Sequence, residues 1–159
     1  MTLPVRLETD RRIDELLTRF PMKGSALLPA LYLVQEETGF VSEESMEYVA
    51  SKIGVSPAFV AGVVSFYTMF HRRPVGRHHI QVCRTLPCAL RGADDLMAHL
   101  EKRLGIADGE MRPDGSCSLV SVECLGACDR APFIQINDVE HGPVDAARME
   151  EILKTLETR

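Results

Sequence analysis

Apolar residues in the first half of the chain recur at helical spacing. The stripe from Ile13 to Phe20 follows the pattern i, i+3, i+4, i+7 and predicts a helix over residues 10–20. Residues 25–38 predict a second helix, and Gly39 fits the left-handed position just past its end. Each helix presents one apolar face, which indicates that the helices pack against one another.

Two serines mark the starts of further helices. Ser42 and Ser56 are typical N-cap residues, and together with the first two helices they predict a small four-helix bundle. The apolar stripe of the fourth helix is interpreted as bundle core rather than as a docking surface: Phe59, Val63, Phe66 and Phe70. Tyr67 and Met69 lie off this stripe, where a partner contact and local packing both stay open.

The periodicity changes in the second half, where short alternating segments predict strands. These strands are Ile80–Val82, Leu119–Val122 and Phe133–Ile136. A helix is predicted over Leu90–Leu104, and a last helix follows the N-cap residue Asp145. Strands that alternate with helices predict an α/β domain.

A segment that contains Pro and Gly separates the two halves. Residues 67–79 carry no Asp or Glu, and Pro74 and Gly76 interrupt regular structure. We therefore predict a helical bundle over residues 1–76 and an α/β domain over residues 77–159, with an exposed linker at their junction. Three histidines are interpreted as solvated loop residues rather than as metal ligands: His71, His78 and His79.

Composition and charge exclude several functional classes. Hydrophobic residues make up 45% and charged residues 26%, which is typical of a folded globular protein and not of a disordered chain. The formal net charge of −5 argues against a nucleic-acid-binding protein. The apolar runs are too short to cross a bilayer, and the first ten residues have no signal-peptide core. These features predict a cytoplasmic location without direct membrane insertion. A matrix location would require a presequence that has been removed.

All five cysteines lie in the second half, and residues 80–159 also carry the whole net charge of −5. Cys83 and Cys88 form a C-x4-C pair, and Cys124 and Cys128 form a C-x3-C pair. Each pair begins where a predicted strand ends, so adjacent strands would bring four thiolates to one edge of a sheet. This pattern favours metal binding or redox chemistry over structural disulfides. Cys117 is expected to be a buried or half-buried bystander.

The spacing favours an iron–sulfur cluster and leaves two alternatives open. A [2Fe–2S] rhomb needs two pairs of thiolates, whereas zinc sites usually use C-x2-C knuckles and redox dithiols use C-x-x-C. Gly126 and Ala127 allow the backbone to approach a cluster closely. Three apolar residues are candidates for shielding the site from water: Leu86, Pro87 and Leu125. A structural four-cysteine zinc site, which would make the chain a docking module, stays the main alternative.

The motifs CRTLPC and VECLGACDRAP resemble those of the thioredoxin-like 2Fe–2S ferredoxin subunit of NADH:quinone oxidoreductase, respiratory complex I. The segment GVVSFYTMF is similar to the N-terminal bundle of that family, so the resemblance covers nearly the whole chain. Related diaphorase subunits of NAD-linked hydrogenases and formate dehydrogenases share the pattern. The resemblance implies a helical bundle attached to a thioredoxin-like domain with a four-stranded sheet.

The resemblance also implies a site and a role. The family's cluster ligands fall on four cysteines of this chain: Cys83, Cys88, Cys124 and Cys128. Cys117 matches no ligand position. The implied function is electron transfer, as a subunit of NADH dehydrogenase (quinone), beside a flavoprotein subunit that binds NADH and FMN. The sequence itself has no dinucleotide fingerprint, and we expect no catalytic site of its own.

Two further expectations concern the location of the chain and the reduction potential of its cluster. We expect the chain in the cytoplasm, or at the cytoplasmic face of the inner membrane through its partner subunits. The acids Glu123 and Asp129, each next to a cysteine, favour a low reduction potential because reduction adds negative charge.

Overall fold

The structure, a computed structural model, describes residues 5–157. This part of the chain contains seven α-helices, two short 3-10 helices and four β-strands. The chain separates into two compact units, Met1–Pro74 and Val75–Arg159, whereas the sequence pattern predicts the boundary two residues later. The first four residues, part of the stretch in which we predict no targeting signal, lie outside the described residues.

The first unit consists of four α-helices, as the sequence pattern predicts. Their bounds are α1 (Leu7–Arg19), α2 (Leu27–Thr38), α3 (Glu43–Ile53) and α4 (Pro57–Phe66), with a 3-10 turn over Lys23–Ala26. The predicted second helix is therefore a 3-10 turn followed by an α-helix. The helical bundle predicted for this part of the chain is confirmed.

Local capping explains where these helices start and end. Ser42 Oγ accepts a hydrogen bond from the Ser45 backbone N–H at 3.1 Å, and Ser56 Oγ accepts one from the Phe59 N–H at 3.2 Å. Both bonds satisfy amide groups that have no partner within the helix. Gly39 ends α2 with φ of 81°, a left-handed conformation that glycine adopts without strain.

The bundle core differs from the prediction in α4. Val60 and Val64 are buried, whereas Phe59 is 56% and Phe66 is 77% exposed. Phe70 is buried, but it lies beyond the end of the helix. The expectation that Phe59 and Phe66 belong to the core is therefore wrong. The helix is uncharged and nearly apolar on all sides, so its sequence does not distinguish the inner face from the outer face.

The second unit is a four-stranded sheet with helices. The strands are β1 (His78–Cys83), β2 (Cys117–Val122), β3 (Ile134–Ile136) and β4 (Val139–His141), in the order β2-β1-β3-β4. Strands β1 and β2 are parallel, and β3 is antiparallel to both β1 and β4. The predicted four-stranded sheet and the α/β class are confirmed.

Three helices complete this unit. They are α5 (Leu86–Leu90), α6 (Ala93–Leu104) and α7 (Ala146–Glu157). The single helix predicted over Leu90–Leu104 is divided, because Gly92, with φ of 96°, separates α5 from α6. Leu90 is the last residue of α5 and is 77% exposed. Asp145 accepts a hydrogen bond from the Arg148 N–H at 2.8 Å and so acts as the predicted N-cap of α7.

The prediction of a solvated histidine loop is wrong for two of its three residues. His78 and His79 belong to β1. His79 is buried, and its Nδ1 lies 2.7 Å from Ser118 Oγ on the neighbouring strand. The strand begins two positions before Ile80, and burial does not alternate along it because His79 and Ile80 are both buried.

Helix length and hydropathy together decide whether a helix can span a membrane. Within residues 5–157 no single helix is both long enough and apolar enough to cross one. Helices α3 and α4 meet the criteria only when they are taken together, and the chain bends by 118° between them.

A cluster of charged and polar groups joins α1 to α3. Lys52 Nζ lies 2.6 Å from Asp10 and 2.8 Å from Asp14, and the Tyr48 hydroxyl donates to Asp10. The hydrogen bonds from Lys52 and then from Tyr48 hold the pKa of Asp10 below its ordinary value of 3.8. Asp10 is the better shielded of the two acids, since its side chain is 20% exposed and that of Asp14 is 57% exposed.

Asp10→Asn should lower the free energy of unfolding by about 1–3 kcal/mol at neutral pH, because it removes the carboxylate that Lys52 and Tyr48 contact. The folded state lowers the pKa of Asp10, so this contribution is complete above pH 3.8 and is lost as the pH falls through the folded-state pKa. Urea unfolding of both proteins along a pH series measures the difference. Asp14→Asn is the matched control, with an expected loss under about 1 kcal/mol. A pH-independent loss at Asp10 would contradict the electrostatic explanation.

The corrected face of α4 gives a second expectation. Val60→Ala should destabilise the chain by about 1–3 kcal/mol because it opens a cavity in the bundle core. Phe66→Ala removes more side-chain volume, but the residue is 77% exposed, so the change should stay within about 0.5 kcal/mol. Thermal or urea unfolding of the two variants compares them, and a larger loss at Phe66 would contradict the observed orientation.

Candidate metal centre

Parallel pairing of β1 and β2 brings the two cysteine segments to one edge of the sheet. The register pairs Cys83, the last residue of β1, with Val122, the last residue of β2. The Arg84 N–H continues the ladder by donating to the Val122 carbonyl at 3.0 Å. Both strands therefore end side by side, and Cys124 follows β2 by two residues. This is the juxtaposition that the sequence predicts.

The first pair of thiols lies in the interior. Cys83 and Cys88 are each 2% exposed, and each thiol affects the pKa of the other. Thr85 precedes α5, and its hydroxyl oxygen lies 3.2 Å from Cys83 Sγ. The short helix α5 then returns the chain, which places Cys88, its third residue, back beside Cys83.

The second pair lies at the surface. Cys124 and Cys128 are both exposed. Gly126 has φ of 81° and makes the tight turn between them. Its N–H donates to Cys124 Sγ at 3.3 Å. The glycine selected from the sequence therefore allows both the turn and the approach of the backbone to a sulfur.

Backbone amides surround the buried sulfurs. Burial disfavours a thiolate at Cys83, but the Thr85 hydroxyl and the N–H groups of Leu125 and Thr85 outweigh this effect, and the pKa of Cys83 is lowered. Burial raises the pKa of Cys88 to about 11, and the neighbouring Cys83 contributes in the same direction. The Phe133 N–H also donates to Cys88 and acts against this rise.

This donor set fits a [2Fe–2S] cluster in its chemistry. Such a cluster needs two pairs of thiolates and benefits from N–H groups directed at its sulfurs. Cys83 ends β1 and Cys124 follows β2 by two residues, so the two pairs lie at the same edge of the sheet. Within residues 5–157 no three His, Cys, Asp or Glu side chains are grouped as ligands of one metal ion.

The remaining residues selected from the sequence differ in their burial and in their position relative to this edge. Pro87 and Leu125 are half-buried, whereas Leu86 is 70% exposed and does not bury the site within this chain. Ala127 is buried. Cys117 is buried, as expected, at the start of β2, the opposite end of the strand from the other thiols.

Three features of this edge were not predicted from the sequence. Thr85 and the Phe133 amide contact the sulfurs of the first pair. Arg84 and Glu123 form an ion pair, with Arg84 Nη2 2.7 Å from Glu123 Oε1. The Thr85 contact could have been noticed because Cys83 is only two residues away, whereas the partner of Arg84 and the contact of the Phe133 amide depend on strand register.

Comparison with known proteins identifies close sequence relatives. A model of the thioredoxin-like [2Fe-2S] ferredoxin family matches residues 13–157. An NADH-quinone oxidoreductase subunit of Rhizobium meliloti is 43% identical over 143 residues, covering 90% of this chain and 85% of the relative. NADH-quinone oxidoreductase subunit 2 of Thermus thermophilus is 42% identical over 147 residues, covering 91% and 81%.

A solved structure shares the fold. The chain superposes on an NAD+-reducing [NiFe]-hydrogenase, crystallised in the H2-reduced state, with a TM-score of 0.73 and 23% identity. The match covers 84% of this chain and 23% of the hydrogenase chain, so the chain spans about a quarter of that protein. The fold and the relatives agree with the resemblance found in the cysteine motifs. The chain belongs to the thioredoxin-like [2Fe-2S] ferredoxin family.

Proposed function

We propose that this chain is an electron-transfer subunit of an NADH:quinone oxidoreductase and that it carries one [2Fe–2S] cluster. The proposed ligands are Cys83, Cys88, Cys124 and Cys128. The observation that carries the proposal is the parallel pairing of β1 with β2, because both strands end at one edge of the sheet and each leads into one pair of cysteines. Relatives named as subunits of NADH-quinone oxidoreductase support it.

The chain's own residues would hold and tune the cluster. A [2Fe–2S] cluster accepts and releases single electrons. The buried pair Cys83 and Cys88 anchors one side, and the exposed pair Cys124 and Cys128 closes the other. The N–H groups of Leu125 and Phe133 direct partial positive charge toward the sulfurs, which favours thiolates.

The proposed partner is a flavoprotein subunit that binds NADH and FMN. This chain has no dinucleotide-binding fingerprint, and hydride chemistry would belong to that partner. Names of relatives as subunits of one oxidoreductase support an assembled complex. We propose that the chain works in the cytoplasm or at the cytoplasmic face of the inner membrane, held there through its partners.

A second candidate is the same role in an NAD-linked hydrogenase or formate dehydrogenase. The structural similarity to an NAD+-reducing [NiFe]-hydrogenase supports the hydrogenase as an alternative assembly for this chain. The sequence relatives at 42–43% identity favour the quinone reductase. A structural zinc site would instead make the chain a docking module, and metal content separates it from both electron carriers.

The full chain purified without oxygen should contain about two irons and two sulfides and show an EPR signal only after reduction. Cys124→Ser and Cys128→Ser should each lose most of this iron while circular dichroism stays unchanged, because both side chains are exposed. Cys117→Ser is the matched control and should retain the cluster. Zinc without iron, even after reconstitution with iron and sulfide, would contradict the proposal.

The partner assignment gives a separate expectation. Tagged chain co-expressed with the other subunits of the complex should co-purify with a flavin-containing subunit, and NADH should then reduce its EPR-active cluster. The isolated chain should show no reduction by NADH, because it has no nucleotide motif. Co-purification with a hydrogenase large subunit would select the second candidate, and reduction of the isolated chain by NADH would contradict the division of roles.

A further inference from the structure

The ion pair of Arg84 and Glu123 connects the two cysteine segments. Arg84 directly follows Cys83, and Glu123 directly precedes Cys124. Arg84 Nε and Nη2 donate to the same carboxylate oxygen of Glu123 at 3.0 and 2.7 Å. The pair therefore joins residues adjacent in sequence to one proposed ligand from each segment.

Strand register fixes this contact. The last pair in the parallel register is Cys83 with Val122, so the next positions along both strands are Arg84 and Glu123. Cys83 and Arg84 lie on opposite faces of the strand end, and Cys83 is buried whereas Arg84 is exposed. The Arg84 N–H also donates to the Val122 carbonyl at 3.0 Å, so the ion pair adds a side-chain contact to a backbone hydrogen bond between the same two segments.

Arg84 also faces other carboxylates. A cavity of about 230 Å³ beside Cys83 is lined by Arg84, Asp94 and Asp108. Asp108 is held by the Ser121 N–H at 2.7 Å, so its charge is fixed near Arg84. Glu123 therefore contacts the guanidinium of Arg84 directly and Asp108 acts on it at longer range, in a half of the chain whose formal charge is −5.

We propose that Arg84 and Glu123 are positioning residues that hold the two cysteine segments together and balance the charge beside the cluster. The inference rests on the proposed [2Fe–2S] function. It assigns to this pair two separable effects, one on retention of the cluster and one on its reduction potential.

Retention follows from the geometry of the bridge. The side chains of Arg84 and Glu123 are 61% and 67% exposed, so the contact is worth only a fraction of a buried ion pair. Its loss should let the exposed Cys124 segment open more often. We expect iron loss to be about two- to fivefold faster in either single variant, the range that exposed ion pairs support.

The potential follows from the sign of each charge. Reduction adds one negative charge, which a nearby cation favours and a nearby anion opposes. Arg84→Gln should lower the midpoint potential, because it removes a positive charge beside the cluster and leaves Glu123 and Asp108 without their counter-charge. Glu123→Gln should raise it. Distortion of the loop alone would not give opposite signs, so the potential separates electrostatics from structure.

The experiment uses the full chain with its cluster and compares Arg84→Gln, Glu123→Gln and the charge-swapped double variant R84E/E123R. Iron loss to a chelator is followed by visible absorbance, and the midpoint potential by EPR-monitored titration at low and high salt. The matched controls are Arg148→Gln and Glu151→Gln. They break an ion pair of similar exposure, 60% and 65%, on α7.

The expected result is faster iron loss in both single variants, opposite shifts of the potential, and recovery of both properties in the double variant. High salt should shrink the shifts because exposed charges are screened within about 10 Å at 0.1 M ionic strength. Shifts of the same sign, or behaviour equal to that of the α7 controls, would overturn the inference. A wild-type chain that holds no iron would instead overturn the proposed function.

Discussion

The rest of the site depends on the parallel pairing of β1 with β2. Antiparallel neighbours would place the ends of these strands at opposite edges, and the two cysteine pairs would lie a strand length apart. Parallel pairing requires a crossover between the strands, and α5 and α6 provide it. The same register that aligns Cys83 with Val122 sets Arg84 beside Glu123 and the Leu125 amide beside a sulfur.

Burial divides the four thiols into unequal pairs. Cys83 and Cys88 belong to the hydrophobic core of the second unit, together with Phe133 and Leu96. Cys124 and Cys128 lie on a surface turn. One side of the donor set is thus as rigid as the core itself, while the other side is held by a glycine turn, an amide contact and one exposed ion pair. The division explains why local contacts at the surface matter for this edge.

Local signals made much of the molecule predictable. Serine caps and the Gly39 helix end act within a few residues, and each prediction of that kind agrees with the structure. The inner face of α4 is not predictable from the sequence, because a helix without charged residues has no polar face to identify the side that contacts solvent. His79 was assigned to a loop for a related reason, since its partner Ser118 lies on another strand. Contacts between strands require register, which no short motif encodes.

The separation of β1 and β2 along the sequence affects how the four thiols come together. Every register pair between β1 and β2 joins residues 39 positions apart, from His78 with Cys117 to Cys83 with Val122. Closing a loop of this length costs about 3 kcal/mol of chain entropy beyond a constant contribution. The four thiols are therefore scattered in the unfolded chain and meet only after this non-local contact has formed. A cluster bound by both cysteine pairs would cross-link the two ends of the connection between β1 and β2. Removal of the cluster would restore the conformational entropy of that loop in the unfolded chain.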